Sequence, residues 1–357
     1  MSKVKLPKLS KKTAKSSQPL PAGVEEPVTE REKVEQRREE ILARGRKFKY
    51  PLQYAKHRLI VNTIIIAVLA IAVLVGIGHL VLYNFQDTSD MVYRVTRFLP
   101  ISVAEVDGEQ VRYSDYLMIY RSTITPVEQQ GGQTKSVEDV EAMRTHYKRA
   151  ALTDAEIYTY AEKLGKELGI TISEEQIDQT YDAHRKAGGA DRSEESFLKI
   201  LSDNFNLSKE EYRRMLYLSL MKMEVAQQID TNASNIKDQI AAQIAAGNTD
   251  FGAIAGAFEG QVIYEETGGL IDLMNVDGGR AALAATLQPG QVSEAFTSES
   301  GDGYYFVKLI EKTEDNSKVS YMSLKIPFTE FDKRFEQLQK GNKITEKINI
   351  VEDAEQK

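Results

Sequence analysis

An apolar run of 25 residues, from Leu59 to Tyr83, contains no Asp, Glu, Lys or Arg. As a helix rising about 1.5 Å per residue, it would extend roughly 37 Å and exceed the ~30 Å apolar core of a bilayer. The alternatives are a buried core helix and a cleaved signal peptide. Signal peptides have shorter apolar runs of about 7–15 residues behind a short basic start, whereas 58 residues precede this run. The pattern therefore predicts an uncleaved transmembrane helix over residues 59–83.

The charges on either side of this run predict its orientation. Residues 1–58 carry 16 Lys and Arg against 7 Glu, whereas the chain after residue 58 carries 30 Lys and Arg against 46 Asp and Glu. Lys and Arg are enriched on the cytoplasmic side of membrane spans, so the N-terminus is expected in the cytoplasm and the C-terminal domains outside. We therefore predict a single-pass protein of the plasma membrane, with membrane lipid as the partner of residues 59–83.

The N-terminal tail, residues 1–58, is basic and is expected to be largely disordered, since its first half is rich in Lys, Ser and Pro. Clustered Lys and Arg beside a span favour anionic lipid, which is one candidate partner of the tail. The alternative is a topology signal followed by solvated chain. No aromatic residue lies among the basic ones before Phe48, so no nucleic-acid partner is expected.

Residues 84–230 are predicted to form a mainly helical domain that begins with two short strands. Asp107-Gly108 interrupts an alternating apolar stretch, and this dipeptide favours a tight hairpin turn. Several helix starts are predicted where a hydroxyl residue precedes Glu or Gln by three positions. These pairs are Thr153/Glu156, Ser173/Gln176 and Ser208/Glu211. Residues 123–136 are polar, contain two adjacent glycines and are predicted to be a loop.

Three segments of this domain carry a resemblance to a known family. They are AEVDGEQVRYSDY, LGITISEEQIDQTYD and FNLSKEEYRRML. In this order behind a membrane anchor, they resemble the N-terminal chaperone region of SurA-type and PrsA-type foldases. The resemblance implies a domain that binds unfolded or nascent secreted polypeptides, which are the expected partners of the chain.

Residues 231–327 carry a second resemblance. The segments AAGNTDFGAIAGAF, GG, AATLQPGQVSEAF and GYYFVKL resemble the parvulin-type peptidyl-prolyl isomerase domain in their order and spacing. The resemblance implies an α+β fold with a small antiparallel sheet and covering helices. The family's first strand is missing from its usual place. We expect Lys318–Pro327 to complete the sheet from the C-terminal side instead.

The resemblance also points to candidate site positions, because active parvulins carry two His, a Cys or Asp, and an apolar proline pocket. These polar positions fall here on Gln261, Tyr305 and Ser323. The chain has 4 His, and none lies within residues 231–327. The predicted substrate-binding residues are Val276, Arg280, Phe296, Tyr305 and Met322. The usual catalytic groups are thus replaced, and no metal site or cofactor is expected.

These patterns predict an α+β, membrane-anchored, extracytoplasmic folding factor that binds unfolded or extended secreted polypeptides, with weak or no prolyl isomerase activity. An active peptidyl-prolyl cis-trans isomerase is one alternative. A membrane scaffold that binds one defined partner, without chaperone function, is another. The chain has no Cys, so its domains depend on apolar cores rather than disulfides. Residues 328–357 are predicted to be a helical or disordered extension.

Overall fold

The structure is a computed structural model that describes residues 30–131, 137–186, 192–273, 277–298 and 301–351. The chain divides into two compact units, Met1–Val75 and Gly76–Lys357. The fold is α+β and mostly helical, and the described residues form two small antiparallel sheets. The basic tail predicted to be largely disordered lies outside the described residues up to residue 29, and from Glu30 onward it is helical instead.

The apolar run lies in one long helix. Helix α1, Glu30–His79, continues into a π-helical turn, Leu80–Asn84. Within this helix, His57–Asn84 is long and apolar enough to cross a membrane, and it is the single such segment among the described residues. Its apolar side chains between Leu59 and Val75 are exposed. Length and composition therefore permit the predicted span.

Most of the second unit before residue 230 is helical. The helices are α2 Asp90–Phe98, α3 Tyr113–Gly131, α4 Val137–Leu168, α5 Glu174–Lys186, α6 Glu194–Phe205 and α7 Lys209–Ile229. Helix α4 packs between α3 and α7. Leu117, Leu152 and Leu218, one from each of these helices, are fully buried.

Two of the predicted helix starts are confirmed. The hydroxyl of Ser208 accepts a hydrogen bond from the amide of Glu211 at 3.3 Å, and the Glu211 carboxylate accepts one from the Ser208 amide at 2.6 Å. Ser173 and Gln176 exchange the same pair of bonds at 2.8 and 3.2 Å. Each pair satisfies two amides that the first helical turn leaves without a partner.

Two other local predictions are wrong. Thr153 does not begin a helix, because it lies inside α4, where Leu152 and Ala155 are buried and hold the helix in the core. The predicted loop at 123–136 is helical as far as Gly131, and residues 132–136 lie outside the described residues. Here the Thr125 hydroxyl donates to the carbonyl of Arg121 at 2.7 Å. In both places tertiary packing outweighs the local polar pattern.

The first sheet joins the two ends of the second unit. Strands β1, Ser102–Val106, and β2, Glu109–Arg112, form the predicted hairpin, and Asp107 and Gly108 both have positive φ. On the other edge of β1, the C-terminal strand β8, Ile344–Glu346, pairs antiparallel. The chain therefore returns after the second sheet to complete the first.

Residues 328–351 are correspondingly not a separate extension. Helix α11, Glu330–Lys340, buries Phe331 and Phe335, four residues apart on one face. The Phe331 ring lies 5.4 Å from the ring of Tyr160 in α4. The predicted helix is present, but its apolar face packs into the core of the helical part. Residues 352–357 lie outside the described residues.

The second sheet has the strand order β3-β7-β6-β5, and β4 pairs with β7. Its strands are β3 Ile263–Glu266, β4 Ile271–Asp272, β5 Phe296–Thr297, β6 Gly303–Lys312 and β7 Lys318–Pro327. The hypothesis that Lys318–Pro327 completes this sheet is confirmed, since β7 lies between β3 and β6.

Three helices cover the two faces of this sheet. They are α8 Thr231–Ala245, α9 Phe251–Gly256 and α10 Arg280–Thr286. Phe251 of α9 shares a core with Phe306 and Leu324 of the sheet. Ala281 of α10 packs with Val307 on the opposite face. Strands β6 and β7 are therefore buried on both sides.

Glu156 of α4 is buried beneath the C-terminal strand, and its Oε1 has no hydrogen-bond partner among the described residues. Burial, with a smaller contribution from Glu346, raises the pKa of Glu156 to about 8, although Arg149 opposes the shift. The folded protein therefore binds this proton more tightly than the unfolded chain. The contribution to stability is complete below the ordinary pKa of 4.5 and is lost as the pH rises to about 8.

Glu156→Gln is therefore expected to raise the free energy of unfolding at pH 9 by on the order of a few kcal/mol and to flatten its decline between pH 5 and 9. Urea unfolding at pH 5, 7 and 9 measures both effects. Glu138→Gln, at an exposed position of the same helix, is the matched control and should keep the wild-type profile. A wild-type profile for Glu156→Gln would contradict the raised pKa.

Candidate functional site

The strand register of the second sheet brings several predicted site residues onto one face. Tyr305 pairs with Phe296 of β5 and with Lys325 of β7. Ser323, two residues before Lys325, pairs with Glu265 of β3. Residues in register point to the same side of an antiparallel sheet, as do residues two apart in one strand. We call these five residues, together with Arg280 and Asp302, which contact them, the site face.

Arg280 of α10 covers the middle of the site face. Its Nη1 donates a hydrogen bond to the Glu265 carboxylate at 2.6 Å and lies 3.5 Å from the Ser323 hydroxyl. The guanidinium carbon lies 5.2 Å from the centre of the Tyr305 ring. Burial by itself lowers the pKa of Arg280, but the hydrogen bond to Glu265 and the nearby charges together outweigh it, and the pKa is raised. Arg280 therefore stays charged and bound to Glu265.

A second ion pair lies near the Tyr305 ring. Lys325 Nζ lies 2.5 Å from the Asp302 carboxylate and 5.8 Å from the centre of the Tyr305 ring. The Tyr305 hydroxyl donates to both Asp302 oxygens at 3.1 Å. Burial, and then the charge of Asp302, raises the pKa of Tyr305, so its phenol stays protonated at neutral pH. Two cations, Arg280 and Lys325, therefore lie close to the Tyr305 ring.

Helix α10 is fixed on the sheet by a buried hydrogen-bond network. The Tyr321 hydroxyl donates to Asp277 Oδ2 at 2.6 Å, and the same oxygen accepts from the Ala281 amide at 2.9 Å. Burial, followed by the hydrogen bond to Asp277, raises the pKa of Tyr321. Arg280 is anchored in the same turn, since its Nε donates to the Asp277 carbonyl at 2.8 Å. The position of Arg280 is therefore set by the fold.

The predicted site residues divide into three groups. Arg280, Phe296, Tyr305 and Ser323 lie together on the site face. Gln261 and Met322 do not, as described below. Val276 lies outside the described residues.

Gln261 lies in the turn before β3, where its Oε1 accepts a hydrogen bond from Asn232 of α8 at 3.0 Å. The residue opposite Ser323 is instead Glu265, four positions further along the chain. Met322 precedes Ser323 and so points to the other face, where it packs against the core beneath α8 and α9. The register of β3 on β7 therefore excludes Gln261 from the site face, and strand alternation excludes Met322.

Three members of the site face were not predicted from the sequence: Glu265, Asp302 and Lys325. Their strands show alternation, but the face on which each residue lies depends on pairing between strands far apart in the chain. Lys325 becomes a neighbour of Tyr305 because β7 pairs with β6 along its whole length. The charges of these residues were visible in the sequence, whereas their register was not.

The site face contains two aromatic rings bordered by two ion pairs, and Tyr305 is only 4% exposed. The ring centres of Phe296 and Tyr305 are 5.9 Å apart. Ser323 is fully buried beneath Arg280. Within the described residues, no cluster of His, Cys, Asp and Glu is able to hold a metal ion. The charged groups are paired with each other and the Tyr305 ring is covered, so the partly buried ring of Phe296 is the aromatic surface that this face leaves for a ligand.

A cavity of about 460 Å³ lies at the junction between α7 and the second sheet. Its lining is mostly polar and comprises Glu224, Gln227, Gln228, Asp230, Thr231, Ser234, Asn235 and Tyr304. Side-chain amides such as those of Gln227 and Asn235 both donate and accept hydrogen bonds. The cavity can therefore bind the backbone of an extended peptide without regard to its sequence.

Comparison with known proteins gives one family match, in the first part of the chain. Residues 52–226 match the family model of the SurA-like N-terminal domain. The matched region extends from within α1 into α7 and stops before the second sheet. No curated protein matches the chain.

Proposed function

We propose that this chain, in which residues 52–226 form a SurA-like N-terminal domain, is a membrane-anchored extracytoplasmic folding factor. The family match carries this proposal, since this domain points to foldases of the chaperone type. The apolar segment His57–Asn84 supplies the anchor. The basic residues before it favour a cytoplasmic N-terminus in the plasma membrane. The clients are unfolded or nascent secreted polypeptides.

The polar cavity and the site face are the proposed client-binding surfaces. Amides at the cavity suit a peptide backbone, and the partly exposed ring of Phe296 suits apolar or proline side chains. Each surface binds weakly by itself. Tethering to the membrane raises the local concentration of such a binder where secreted chains emerge, which increases the occupancy of weak sites.

We further propose that the second sheet and its helices form a parvulin-like domain that does not catalyse prolyl isomerisation. The sequence resemblance supports the domain type, and the side chains of the site face support the lack of catalysis. Isomerisation has a barrier of about 18–20 kcal/mol. Lowering it requires a pocket that clamps and desolvates the twisted amide, whereas Arg280 and Lys325 place two positive charges next to Tyr305.

The full chain, reconstituted in lipid nanodiscs, is therefore expected to leave the isomerisation rate of a proline tetrapeptide at its uncatalysed value. A protease-coupled assay measures this rate, and an active parvulin tested at the same concentration is the positive control. Turnover comparable to that control would contradict the non-catalytic proposal and favour an active isomerase. The client-binding proposal is tested separately.

Binding of unrelated denatured polypeptides distinguishes a folding factor from a scaffold. Fluorescence anisotropy with several labelled clients, each denatured and then refolded, is expected to show binding of the denatured forms alone. A scaffold would ignore all of these denatured chains and bind one folded partner. That second result would remove the chaperone proposal.

A further inference from the structure

Helix α2, Asp90–Phe98, is apolar on two sides. One side, formed by Val92, Tyr93 and Thr96, is buried in the helical part. The other is an exposed stripe in which Met91 is 76%, Val95 48% and Phe98 87% exposed. The spacing of four and then three residues places these side chains on one face of the helix. Leu99, which is also exposed, extends the stripe by one residue.

Arginine side chains border this stripe. Arg94 is exposed and has no ion-pair partner among the described residues. Arg112, at the end of β2, lines a surface cavity of about 210 Å³ together with Phe98 and Leu99. Apolar side chains rimmed by Arg are the pattern of helices that lie in the interface of an anionic membrane. Contiguous exposed apolar surface of this kind commonly marks an interaction site.

The position of α2 in the chain identifies which surface lies near it. The helix begins at Asp90, and the apolar segment ends at Asn84. Asp90 is six residues after Asn84, and six residues of extended chain span at most about 20 Å. The end of the apolar segment is also fixed in the same compact unit as α2, because Leu82 is buried and its carbonyl accepts a hydrogen bond from the Tyr113 hydroxyl at 2.8 Å. A bilayer crossed by that segment must therefore lie close to α2.

We propose that the exposed stripe of α2 docks into the outer surface of the membrane, with its apolar side chains at the headgroup boundary and its arginines on anionic headgroups. This inference rests on the membrane anchor of the proposed function. Docking gives the folded part a fixed orientation, whereas a single helix alone leaves it free to tilt. The occupant of the stripe is the lipid surface, and a client polypeptide is the competing occupant.

The chain has no Cys, so a single introduced Cys carries a unique fluorescent label. Full-length Val95→Cys and Phe98→Cys, in vesicles of equal phosphatidylcholine and phosphatidylglycerol, are expected to be quenched strongly by a lipid-attached quencher. Val68→Cys, within the apolar segment, is the positive control. Glu314→Cys, in the exposed turn between β6 and β7, is the negative control. Quenching at 95 and 98 should exceed that at 314 several-fold.

The outcomes separate docking from anchoring. Quenching at 68 with none at 95 and 98 would overturn docking and leave the anchor intact. No quenching at any of the three positions would overturn both. Labels at 95 and 98 that respond to added denatured polypeptide but not to the lipid quencher would assign the stripe to clients instead.

A separate experiment measures how much the charge of Arg94 contributes to membrane docking. Arg94→Gln, introduced into Phe98→Cys, is expected to lower the ratio of docked to undocked helix about fivefold in these vesicles, because one Arg is lost from the anionic surface. Vesicles of phosphatidylcholine alone should show no difference between the two proteins. An equal loss in both lipids would show that Arg94 acts through folding, and would overturn its assignment to headgroups.

Discussion

Replacing Asp230 with alanine is expected to lower the free energy of unfolding by about 3–5 kcal/mol, since a buried carboxylate with three amide partners is lost. One oxygen accepts a hydrogen bond from the Ala233 amide at 2.9 Å, at the start of α8. The other accepts from the amides of Thr329 and Glu330 at 2.7 and 3.1 Å, at the start of α11. The Asp230 side chain thus caps the first turns of two helices and connects the C-terminal segment to the α7–α8 junction.

Urea unfolding of the full chain in detergent, followed by circular dichroism, measures this change. Asp238→Ala is the matched control, because Asp238 lies on α8 with its side chain 70% exposed, and it should change stability by less than about 0.5 kcal/mol. Asp230→Asn, which keeps an acceptor oxygen, should fall between the two. Equal midpoints for Asp230→Ala and Asp238→Ala would contradict the bridging role of this carboxylate.

Phe331→Ala is expected to lower the free energy of unfolding by about 3–5 kcal/mol, because it removes a fully buried aromatic side chain and leaves a cavity. Phe331 is 1% exposed and packs on Tyr160, so it attaches α11 to α4. Its loss should also free β8 from β1, since the chain between α11 and β8 is short. Hydrogen exchange is expected to speed up most at residues 330–346 and at their contacts in α4.

Phe205→Ala is the control for this substitution, since Phe205 ends α6 and is 38% exposed. Phe205→Ala should lower the free energy of unfolding by less than half as much, because a partly exposed side chain removes less apolar surface from water on folding. If Phe331→Ala loses stability without faster hydrogen exchange in the C-terminal segment, this would contradict the proposal that Phe331 holds α11 against α4. Both variants are measured under the same denaturant conditions.

The features predicted correctly from sequence are those with a local physical cause. Asp107-Gly108 adopts the positive φ that a tight hairpin requires. Ser208 and Glu211 cap their helix through groups three residues apart. The apolar run at 59–83 needs no partner to be recognised as a long apolar helix. In each of these cases, the residues that determine the structure are close together in the chain.

The features that were missed depend on contacts between distant parts of the chain. Thr153 has the local pattern of a helix start, yet core packing carries α4 through it. The return of β8 to β1 joins residues more than 200 positions apart. Glu265 reaches the site face because β3 pairs with β7 rather than with its neighbour in sequence. Local patterns carry no information on such pairings.

The site face shows that the fold does not by itself determine which chemical groups are present at a site. The sheet and α10 bring Arg280, Tyr305 and Ser323 together. The groups that they present are an arginine held by Glu265 and a phenol held by Asp302. These side chains stabilise the face by pairing with each other.

Suppression of client aggregation tests the folding-factor proposal most simply. A chemically denatured client is diluted into buffer with the full chain in nanodiscs, and light scattering is followed over time, with empty nanodiscs as the control. A membrane-anchored folding factor is expected to reduce scattering strongly at a molar ratio near one. Scattering equal to that with empty nanodiscs, for several unrelated clients, would contradict the proposed function.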